Sequence, residues 1–315
     1  EGESPPFCVS KMSHVAKSKL TASDNGNVHN NKLTIDGLNI ASRNVYGGYT
    51  LGTGNSTDNE VILKNISSTN YGYVYGGWSE QNNATNNTVT LAGNSGGGAS
   101  RLLLYGGGGN GTGKDYTTGN LLQIKGKGNL AHWVYNFEKM KFVLSSDIAS
   151  GDTMFTNNNT MSNFDWTKIS VDGAASWSTG NNGSQRVILY TGANIGLTNY
   201  GTSSSNGTSG DYEYGLTTDT ATPAASSVNA TAIYFDRNKF QNANVEYKTG
   251  KPLPLPGGLY SGAIYGGTST LGHTTNHNTL TVEDFNIASR YVYGGYTQSV
   301  AGDSTDNEVI LKNIS

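Results

Sequence analysis

The stretch with the clearest chemical signature is a glycine-rich loop within residues 101–120, which read RLLLYGGGGNGTGKDYTTGN. Two phosphate-binding patterns fit this loop: G-x-x-x-x-G-K at Gly108, Gly113 and Lys114, and G-x-G-x-x-G at Gly106, Gly108 and Gly111. Both patterns bind a phosphate through backbone N–H groups at the start of a helix. Taken by itself, the loop would suggest a nucleotide-binding enzyme.

The residues around the loop argue against a nucleotide site. A phosphate loop needs Ser or Thr after its lysine to hold magnesium, whereas Asp115 follows Lys114 here. The next residues, DYTTGNLLQI, predict a turn and a strand, so there is no helix whose N-terminal amides could face a phosphate. We therefore expect a lengthened turn without a nucleotide.

Other catalytic and metal signatures are weak. The serine-protease motif GDSG does not occur. His273 and His277 have a spacing that suits a metal only on a helix, and their segment HTTNH predicts a polar turn. A polysaccharide lyase would need acidic and basic residues clustered on one strand face, where this chain has Asn, aliphatic residues and Tyr. We predict no catalytic residue, no metal site and no cofactor.

The composition favours many short strands joined by polar turns. The 315 residues include 43 glycines and 19 tyrosines, and Gly and Asn are the residues that tolerate positive φ in turns. A net charge of −3 predicts no attraction to nucleic acid. No apolar run approaches the roughly 20 residues of a membrane span, so no membrane insertion is expected. The one cysteine, Cys8, excludes an internal disulfide.

Two short units alternate along the chain. The first is Asn-x-apolar-x-apolar, at NKLTI (31–35), NEVIL (59–63), NTVTL (87–91), NLLQI (120–124), NTLTV (278–282) and NEVIL (307–311). The second ends in Gly-Gly, at VYGGY (45–49), VYGGW (74–78), LYGGG (104–108), IYGGT (264–268) and VYGGY (292–296). Self-similarity at this period indicates a solenoid, in which each unit buries its apolar face against the next.

Alternating apolar residues identify the units as strands. The predicted fold is an all-β, right-handed parallel β-helix with about 28–30 residues per repeat and roughly eleven coils. The leading Asn of each first unit has the same parity as the inward apolar residues. We therefore expect it to point inward and to form an amide ladder with its equivalents in adjacent coils.

A longer repeat overlies the short ones. LTIDGLNIASRNVYGGYT (33–50) returns as LTVEDFNIASRYVYGGYT (280–297), and STDNEVILKNIS occurs at both 56–67 and 304–315. The second copy stops within a repeat, so we expect the parent protein to continue. The predicted organisation is an N-terminal segment (1–30), β-helix repeats (31–125), a divergent β-helix region (126–250) with a protruding loop at 199–215, a Pro-rich linker (251–258) and the start of a second repeat copy (259–315).

The repeats carry a resemblance to a known family. Asn-x-Val-x-Leu strands alternating with VYGG units, together with NFEKMKFVLSSDIASGDTMFT (136–156) and DWTKISVDG (165–173), resemble the passengers of repeat-rich autotransporter adhesins of Gram-negative bacteria. The resemblance implies a non-enzymatic β-helix at the bacterial cell surface, tethered to the outer membrane by a barrel outside this chain. It also implies a host surface protein or glycan as the partner.

The aromatic residues of the second unit are the candidate binding surface. If the valines face inward, the neighbouring tyrosines face outward, and stacked coils would align them into an aromatic stripe that suits binding. The members are Tyr46, Tyr49, Tyr73, Tyr75, Trp78, Tyr291, Tyr293 and Tyr296. The alternative is that the rings only stack on one another and stabilise the coils. Their paired glycines are expected to give tight corners or close backbone approach.

Three hypotheses follow from the sequence. The first is a surface adhesin passenger that contacts host protein or glycan through loops and the aromatic stripe. The second is a structural filament or scaffold that self-associates, in which duplicated modules provide length. The third is a carbohydrate-active β-helix enzyme.

Overall fold

The computed structural model describes residues 22–23, 25–95, 101–177, 185–201, 203, 205–220, 226–248, 263–287, 291–297 and 302–315. Their parallel sheets form a β-solenoid of about eight turns, which confirms the predicted all-β fold; its handedness stays a prediction. The chain divides into two compact units, residues 1–123 with 129–138 (unit 1) and residues 124–128 with 139–315 (unit 2). Cys8 and the Pro-rich segment 251–258 lie outside the described residues.

The strands of unit 1 are short, and successive coils contribute them to three parallel sheets. Their bounds are β1 Ala22–Ser23, β2 Val28–His29, β3 Lys32–Asp36, β4 Asn44–Tyr46, β5 Tyr49–Thr50, β6 Ser56–Thr57, β7 Glu60–Lys64, β8 Gly72–Ser79, β9 Ala84–Thr85, β10 Thr88–Ala92, β11 Leu102–Gly108, β12 Leu121–Lys125 and β13 Asn129–Tyr135; β12 continues into unit 2. The sheet orders within the unit are β2-β6-β9, β3-β7-β10-β12 and β1-β5-β8-β11-β13, with β4 also paired to β8.

The register between coils keeps like residues together. Val61 pairs with Val89, and Leu63 with Leu91, as β7 and β10 run parallel. All four side chains are fully buried, so the aliphatic column of one coil lies on that of the next. Burial of these columns is the main favourable free energy available to such a fold.

An asparagine ladder lies beside the aliphatic columns, as predicted. The Nδ2 groups of Asn31, Asn59 and Asn87 donate to Oδ1 of Asn59, Asn87 and Asn120, respectively, at 2.8, 3.0 and 3.3 Å. Each of these Oδ1 atoms also accepts the backbone N–H of the preceding ladder residue. The amides are buried, and each therefore satisfies polar groups of the adjacent coil that would otherwise be costly to bury.

The residue before each ladder asparagine turns the corner. Asn30, Asp58 and Asn86 have φ of 58°, 56° and 57°, in the left-handed region. Asn and Asp adopt this region more readily than other non-glycine residues. The pair Asn/Asp-Asn therefore specifies both the turn and the start of the strand.

The paired glycines make room for the ladder. A Cβ on Gly77 would lie 2.6 Å from Asn87 Nδ2 and 2.6 Å from Ser56 Oγ, and one on Gly76 would lie 2.5 Å from the carbonyl oxygen of Gly106. The first glycine of the pair therefore allows close coil-to-coil approach, and the second accommodates the buried amide. Close backbone approach, one of the two roles expected from the sequence, is thus correct.

Unit 2 contains parallel coils of the same type. The strand bounds are β14 Lys139–Val143, β15 Thr153–Met161, β16 Phe164–Asp165, β17 Ile169–Asp172, β18 Gln185–Thr198, β19 Gly207–Ser209, β20 Tyr212–Thr218, β21 Ser227–Lys239, β22 Asn244–Lys248, β23 Ala263–Ser269, β24 Thr275–Asn276, β25 Thr279–Glu283, β26 Tyr291–Thr297, β27 Ser304–Thr305 and β28 Glu308–Lys312, with a 3₁₀ turn at Trp166–Lys168. The last coils pair as β22-β25-β28, β23-β26 and β24-β27. The ladder recurs here, since Asn278 Nδ2 donates to Asn307 Oδ1 at 2.8 Å.

An antiparallel sheet interrupts the coils of unit 2. Strand β21 pairs antiparallel with both β18 and β20, and β20 pairs antiparallel with β19. The segment 199–215, predicted as a protruding loop, contains β19 and the start of β20 in its second half. The count of roughly eleven coils is wrong: residues 185–239 hold this sheet, and one coil of unit 1 is longer than the others, with 33 residues between ladder positions against 28.

A buried carboxylate anchors strand β20. Glu213 is fully buried, and its oxygens accept hydrogen bonds from Asn238 Nδ2, from Ser269 Oγ, from the amides of Thr270 and Leu271, and from Thr270 Oγ1. These donors replace the water that an ionised group would lose on burial. The carboxylate joins β20 to the residues at the end of β23.

Replacing Asn87 with Ala should destabilise unit 1 strongly. The backbone N–H and Nδ2 of Asn59 would both lose the oxygen that accepts them, and a buried donor without a partner costs about 1–3 kcal/mol. We expect the denaturation midpoint by circular dichroism to fall clearly. The exposed Asn70→Ala is the control, because only surface hydrogen bonds are lost there; equal effects of the two changes would contradict a special role for the ladder.

Replacing Gly77 with Ala should also destabilise the fold, by about 1–3 kcal/mol, because the added methyl group overlaps the Asn87 amide. The matched control is Gly201→Ala, since a Cβ at Gly201 would meet nothing within 4 Å. Chemical denaturation of both variants beside the parent chain measures the difference. A Gly77 variant as stable as the Gly201 variant would show that the corner has room to relax.

Candidate functional site

Four tyrosines of unit 1 stack along one sheet; they are called the tyrosine row and are Tyr46, Tyr75, Tyr105 and Tyr135. Their ring centroids are 5.3, 4.8 and 5.7 Å apart in that order, with interplanar angles of 13°, 19° and 26°. The row follows from register, because β4, β8, β11 and β13 pair in parallel with these residues opposite one another. Val74, between the tyrosines of β8, is fully buried, so the rings lie on the opposite, outer face.

A polar cluster lies beside the row; it is called the Glu80 cluster and consists of Tyr49, Trp78, Glu80 and Asn110. Glu80 Oε1 accepts from the Tyr49 hydroxyl at 2.9 Å and from Trp78 Nε1 at 3.0 Å, and its Oε2 accepts from Asn110 Nδ2. Trp78 packs edge-on against Tyr75, with centroids 4.8 Å apart. One carboxylate therefore fixes two aromatic side chains that are each partly exposed.

The glycine-rich loop that fits the phosphate-binding patterns borders this cluster. Gly108 lies opposite Trp78 in the register, and a Cβ there would be 2.9 Å from both the Trp78 and the Tyr75 rings. A Cβ on Gly109 would be 1.9 Å from the carbonyl oxygen of Ser79. The absence of side chains at Gly108 and Gly109 therefore leaves room for the Trp78 and Tyr75 rings and for the backbone of the neighbouring coil.

Asp115, which replaces the magnesium-binding residue of a phosphate loop, has a structural role. Its Oδ1 accepts the amides of Thr117 and Thr118, both at 2.9 Å. Partial burial acts to raise the pKa of Asp115, but the hydrogen bonds from Thr118 and Thr117 outweigh it and the pKa is lowered. The carboxylate stabilises the turn before β12, and no helix follows the loop. The expected lengthened turn is confirmed.

A shorter aromatic group occurs in unit 2. Tyr265 stacks on Tyr293 with centroids 5.5 Å apart and an interplanar angle of 9°, and Tyr296 contacts both rings. Tyr291 lies 6.3 Å from Tyr293 and is 70% exposed, the most exposed of the predicted site residues. The predicted residues therefore form separate groups within units 1 and 2.

Tyr73 is the predicted residue that falls outside the stacking. Tyr73 pairs with Asn44 in one neighbouring coil and with Leu103 in the other, so no tyrosine lies opposite it in either coil.

Sequence reasoning left out Tyr105, Tyr135, Tyr265 and Glu80. The first and third were recognisable, because LYGG and IYGG are copies of the same unit as VYGG. Tyr135 lacks the Gly-Gly that marks the others, and only the pairing of Tyr105 with Tyr135 places it in the row. Glu80 carried no sequence signal, since its partners come from three different coils.

A second aromatic group of unit 1 was also not foreseen. Arg101 lies over the Tyr71 ring, with Cζ 5.3 Å from the centroid, and Tyr71 lies 5.8 Å from His132 and 6.3 Å from Trp133. Tyr71 is 37% exposed. A cation over an aromatic ring is favourable by about 0.5–1 kcal/mol at such a surface site, so the group is ordered by its own contacts.

The metal ligands and histidines considered from the sequence can be placed among the described residues. Among them, no group of three or more His, Cys, Asp and Glu side chains could hold a metal ion. His273 stacks on Phe240 at 4.9 Å, while His277 has φ of 51° and turns the corner before ladder residue Asn278. The expectation of solvated turn histidines is thus correct for His277, which is exposed, and incomplete for His273.

One hydrolase-like pattern escaped the sequence argument. Residues 93–97 read GNSGG and fit G-x-S-x-G, in which the serine is a nucleophile at an exposed turn. Ser95 is instead fully buried, and its Oγ donates to the carbonyl oxygen of Leu63 at 2.9 Å. This serine bridges two coils.

Comparisons with known proteins give no family for this chain. No protein-family model, no curated protein and no solved structure matches it. In the part of the chain that the structure describes, no helix combines the length and apolarity needed to cross a membrane.

Packing shifts the acidity of the stacked tyrosines. Burial raises the pKa of Tyr46, Tyr75 and Tyr105, because a phenolate would lose solvation among the rings. Burial, with the hydrogen bond to Glu80, raises the pKa of Tyr49 to about 12. In unit 2, burial raises the pKa of Tyr265 to about 12.

These pKa shifts predict a loss of stability at high pH. An unfolded tyrosine ionises near pH 10, so between about 10 and 12 the folded chain holds protons that the unfolded chain releases. The stabilisation is complete below pH 10 and is lost as pH rises through 12. Ultraviolet titration of phenolate should show a group of tyrosines ionising above pH 11, which Tyr49→Phe reduces by one; titration of every tyrosine near pH 10 would contradict the packing.

Proposed function

We propose that this chain is a non-enzymatic passenger segment of a bacterial surface adhesin, and that it binds a glycan of the host surface through the Glu80 cluster. The observation that carries the proposal is one partly exposed carboxylate that holds Tyr49 and Trp78 in fixed positions beside the tyrosine row. The surface location and the tether outside this chain are part of the proposal, and the resemblance of the repeats supports them.

The chemistry of the cluster favours a sugar. A pyranose ring has a face of C–H groups bordered by hydroxyls, which is complementary to an aromatic ring beside hydrogen-bond acceptors and donors. Trp78 provides the aromatic surface, Glu80 accepts hydrogen bonds, and the Asn110 amide can donate and accept.

Rigidity supports binding without a conformational cost. Trp78 is held by its hydrogen bond to Glu80 and by its T-shaped contact with Tyr75, and the absence of a side chain at Gly108 leaves room for both rings. Aromatic residues with only two side-chain torsions lose little entropy on binding, and prior fixation reduces that loss further. The stacked tyrosines stabilise the coils and also keep Trp78 in position, so the two readings of the aromatic stripe are compatible.

Replacing Trp78 with Ala should weaken glycan binding about tenfold or more, since aromatic anchors dominate most interfaces. Glu80→Gln keeps the shape and should weaken binding less. A glycan array, followed by calorimetry on the sugars it selects, provides the measurement. Leu51→Ala, an exposed apolar change within unit 1, is the control and should bind like the parent. Glycan binding that is unchanged by Trp78→Ala would overturn the site, and polysaccharide cleavage would overturn the non-enzymatic assignment.

A structural scaffold is the second candidate. It is favoured by the identical segment STDNEVILKNIS, which forms β6–β7 in unit 1 and β27–β28 in unit 2 with the same ladder asparagine. A duplicated module that builds the same coil twice can extend a solenoid by repetition. Concentration-dependent filaments in electron micrographs of the full chain, without glycan binding, would favour this second candidate.

A further inference from the structure

A second cluster of unit 1 presents a cation and aromatic rings together at the surface. It is called the Arg101 group and consists of Arg101, Tyr71, His132 and Trp133. Arg101 Cζ lies 5.3 Å from the centroid of the Tyr71 ring, and His132 stacks on Trp133 with centroids 5.9 Å apart. Arg101 and Tyr71 are exposed, while His132 and Trp133 are partly exposed. The site proposed above uses none of these four residues.

Register places this group on the same sheet face as the tyrosine row. Tyr73 pairs with Leu103, and Leu103 pairs with Trp133. Each of the three lies two residues before a member of the tyrosine row, so all three share the outer face with it. Leu103 is fully buried on that face, because neighbouring side chains cover it. The outer face is therefore one packed surface rather than a set of separate rings.

Aromatic contacts connect the Glu80 cluster to the Arg101 group without a break. Trp78 of the Glu80 cluster packs against Tyr75 of the tyrosine row. The row continues by stacking to Tyr135, which contacts Trp133 of the Arg101 group with centroids 6.1 Å apart. Trp78 follows Tyr71 by seven residues, which corresponds to about 20 Å of extended strand. A surface of this length can contact several sugar units at once.

The two ends of this surface carry opposite charges. The Glu80 carboxylate at one end accepts hydrogen bonds from the Tyr49 hydroxyl and Trp78 Nε1. The Arg101 guanidinium at the other end lies over the Tyr71 ring and forms no ion pair with any carboxylate among the described residues. The surface is therefore polar along its length, with a positive end that has no internal counter-charge.

We propose that the Arg101 group binds the carboxylate of an acidic oligosaccharide, one whose terminal sugar carries the carboxylate and whose neutral units lie along the aromatic surface toward the Glu80 cluster. The inference rests on the proposed glycan function and adds the charge and the direction of the ligand. A guanidinium matches a carboxylate through two parallel N–H groups. The Tyr71 ring beside it is complementary to the C–H face of the same sugar.

The charges fix the direction of the ligand. The Glu80 carboxylate repels a second carboxylate, and the Arg101 guanidinium attracts one, so the acidic sugar lies at the Arg101 end. The neutral units then meet Trp78 and the hydrogen-bonding groups of the Glu80 cluster, as in the proposed function. An acidic peptide would satisfy the guanidinium alone, whereas a glycan also uses the rest of the surface.

The test compares probes that differ in the carboxylate. The probes are a linear pentasaccharide with a terminal sialic acid, its carboxyl methyl ester, and the neutral tetrasaccharide that lacks the sialic acid. Each is titrated into the full chain by calorimetry. We expect the sialylated probe to bind about fivefold more tightly than the other two. The preference should disappear near 1 M salt, where the Debye length falls to about 3 Å.

Variants assign the preference to one side chain. Arg101→Gln should bring the affinity for the sialylated probe down to that for its ester and leave the affinity for the neutral probe unchanged. Arg101→Lys keeps the charge without the paired N–H groups and should retain part of the preference. Lys64→Gln is the matched control, because it removes the same charge from an exposed side chain on another sheet of unit 1, and it should behave like the parent chain.

Failure of this inference can be told apart from failure of the adhesin proposal. Equal binding of the sialylated and neutral probes, weakened alike by Trp78→Ala, would overturn the acidic ligand and keep the glycan site. Binding that requires Arg101 but is unchanged by Trp78→Ala would keep the carboxylate site and overturn the Glu80 cluster as its continuation. Equal effects of Arg101→Gln and Lys64→Gln, or equally tight binding of a tri-glutamate peptide, would overturn the Arg101 group as a sugar site. No binding of any probe would overturn both proposals.

Discussion

The buried asparagine ladder is the interaction on which the rest of the structure depends. A solenoid must bury the start of every coil, where backbone N–H and carbonyl groups have no partner within the coil itself. In unit 1, each ladder amide satisfies such groups in the preceding coil and is satisfied by the coil that follows. This arrangement explains why the residue before each ladder asparagine adopts positive φ, and why the two positions that face the ladder are glycines.

The side chains of the proposed site are placed by the same register. Pairing that aligns the ladder on one sheet also aligns Tyr46, Tyr75, Tyr105 and Tyr135 on another, so the outer row is a consequence of the inner one. The carboxylate of Glu80 then joins residues from adjacent coils that the register has brought near one another. The proposed binding surface thus follows from repetition, and Glu80 is the one non-repeated residue that joins its members.

Sequence reasoning reached the repeated features and missed the unique ones. The ladder was predictable because Asn has the parity of Val61 and Leu63, and the tyrosine row because Tyr75 alternates with Val74. The antiparallel sheet was not, because polar residues near 199–215 resemble a loop unless the burial of Glu213 is known. That carboxylate accepts from Asn238, 25 positions away, and from Ser269 and Thr270, more than 50 positions away, and no local pattern encodes such contacts.

The long coil of unit 1 has an implication for how such a chain can vary. The amide bond between Asn87 and Asn120 is formed although 33 residues separate them, against 28 for the bond between Asn59 and Asn87. The extra length includes the glycine-rich loop, which borders the Glu80 cluster and leaves the core columns in register. The passage from Gly107 to Asn120 can therefore be longer than its counterparts while the core columns stay in register. Such a scaffold could acquire a new surface specificity by loop replacement, much as antibody domains vary their loops on a constant framework.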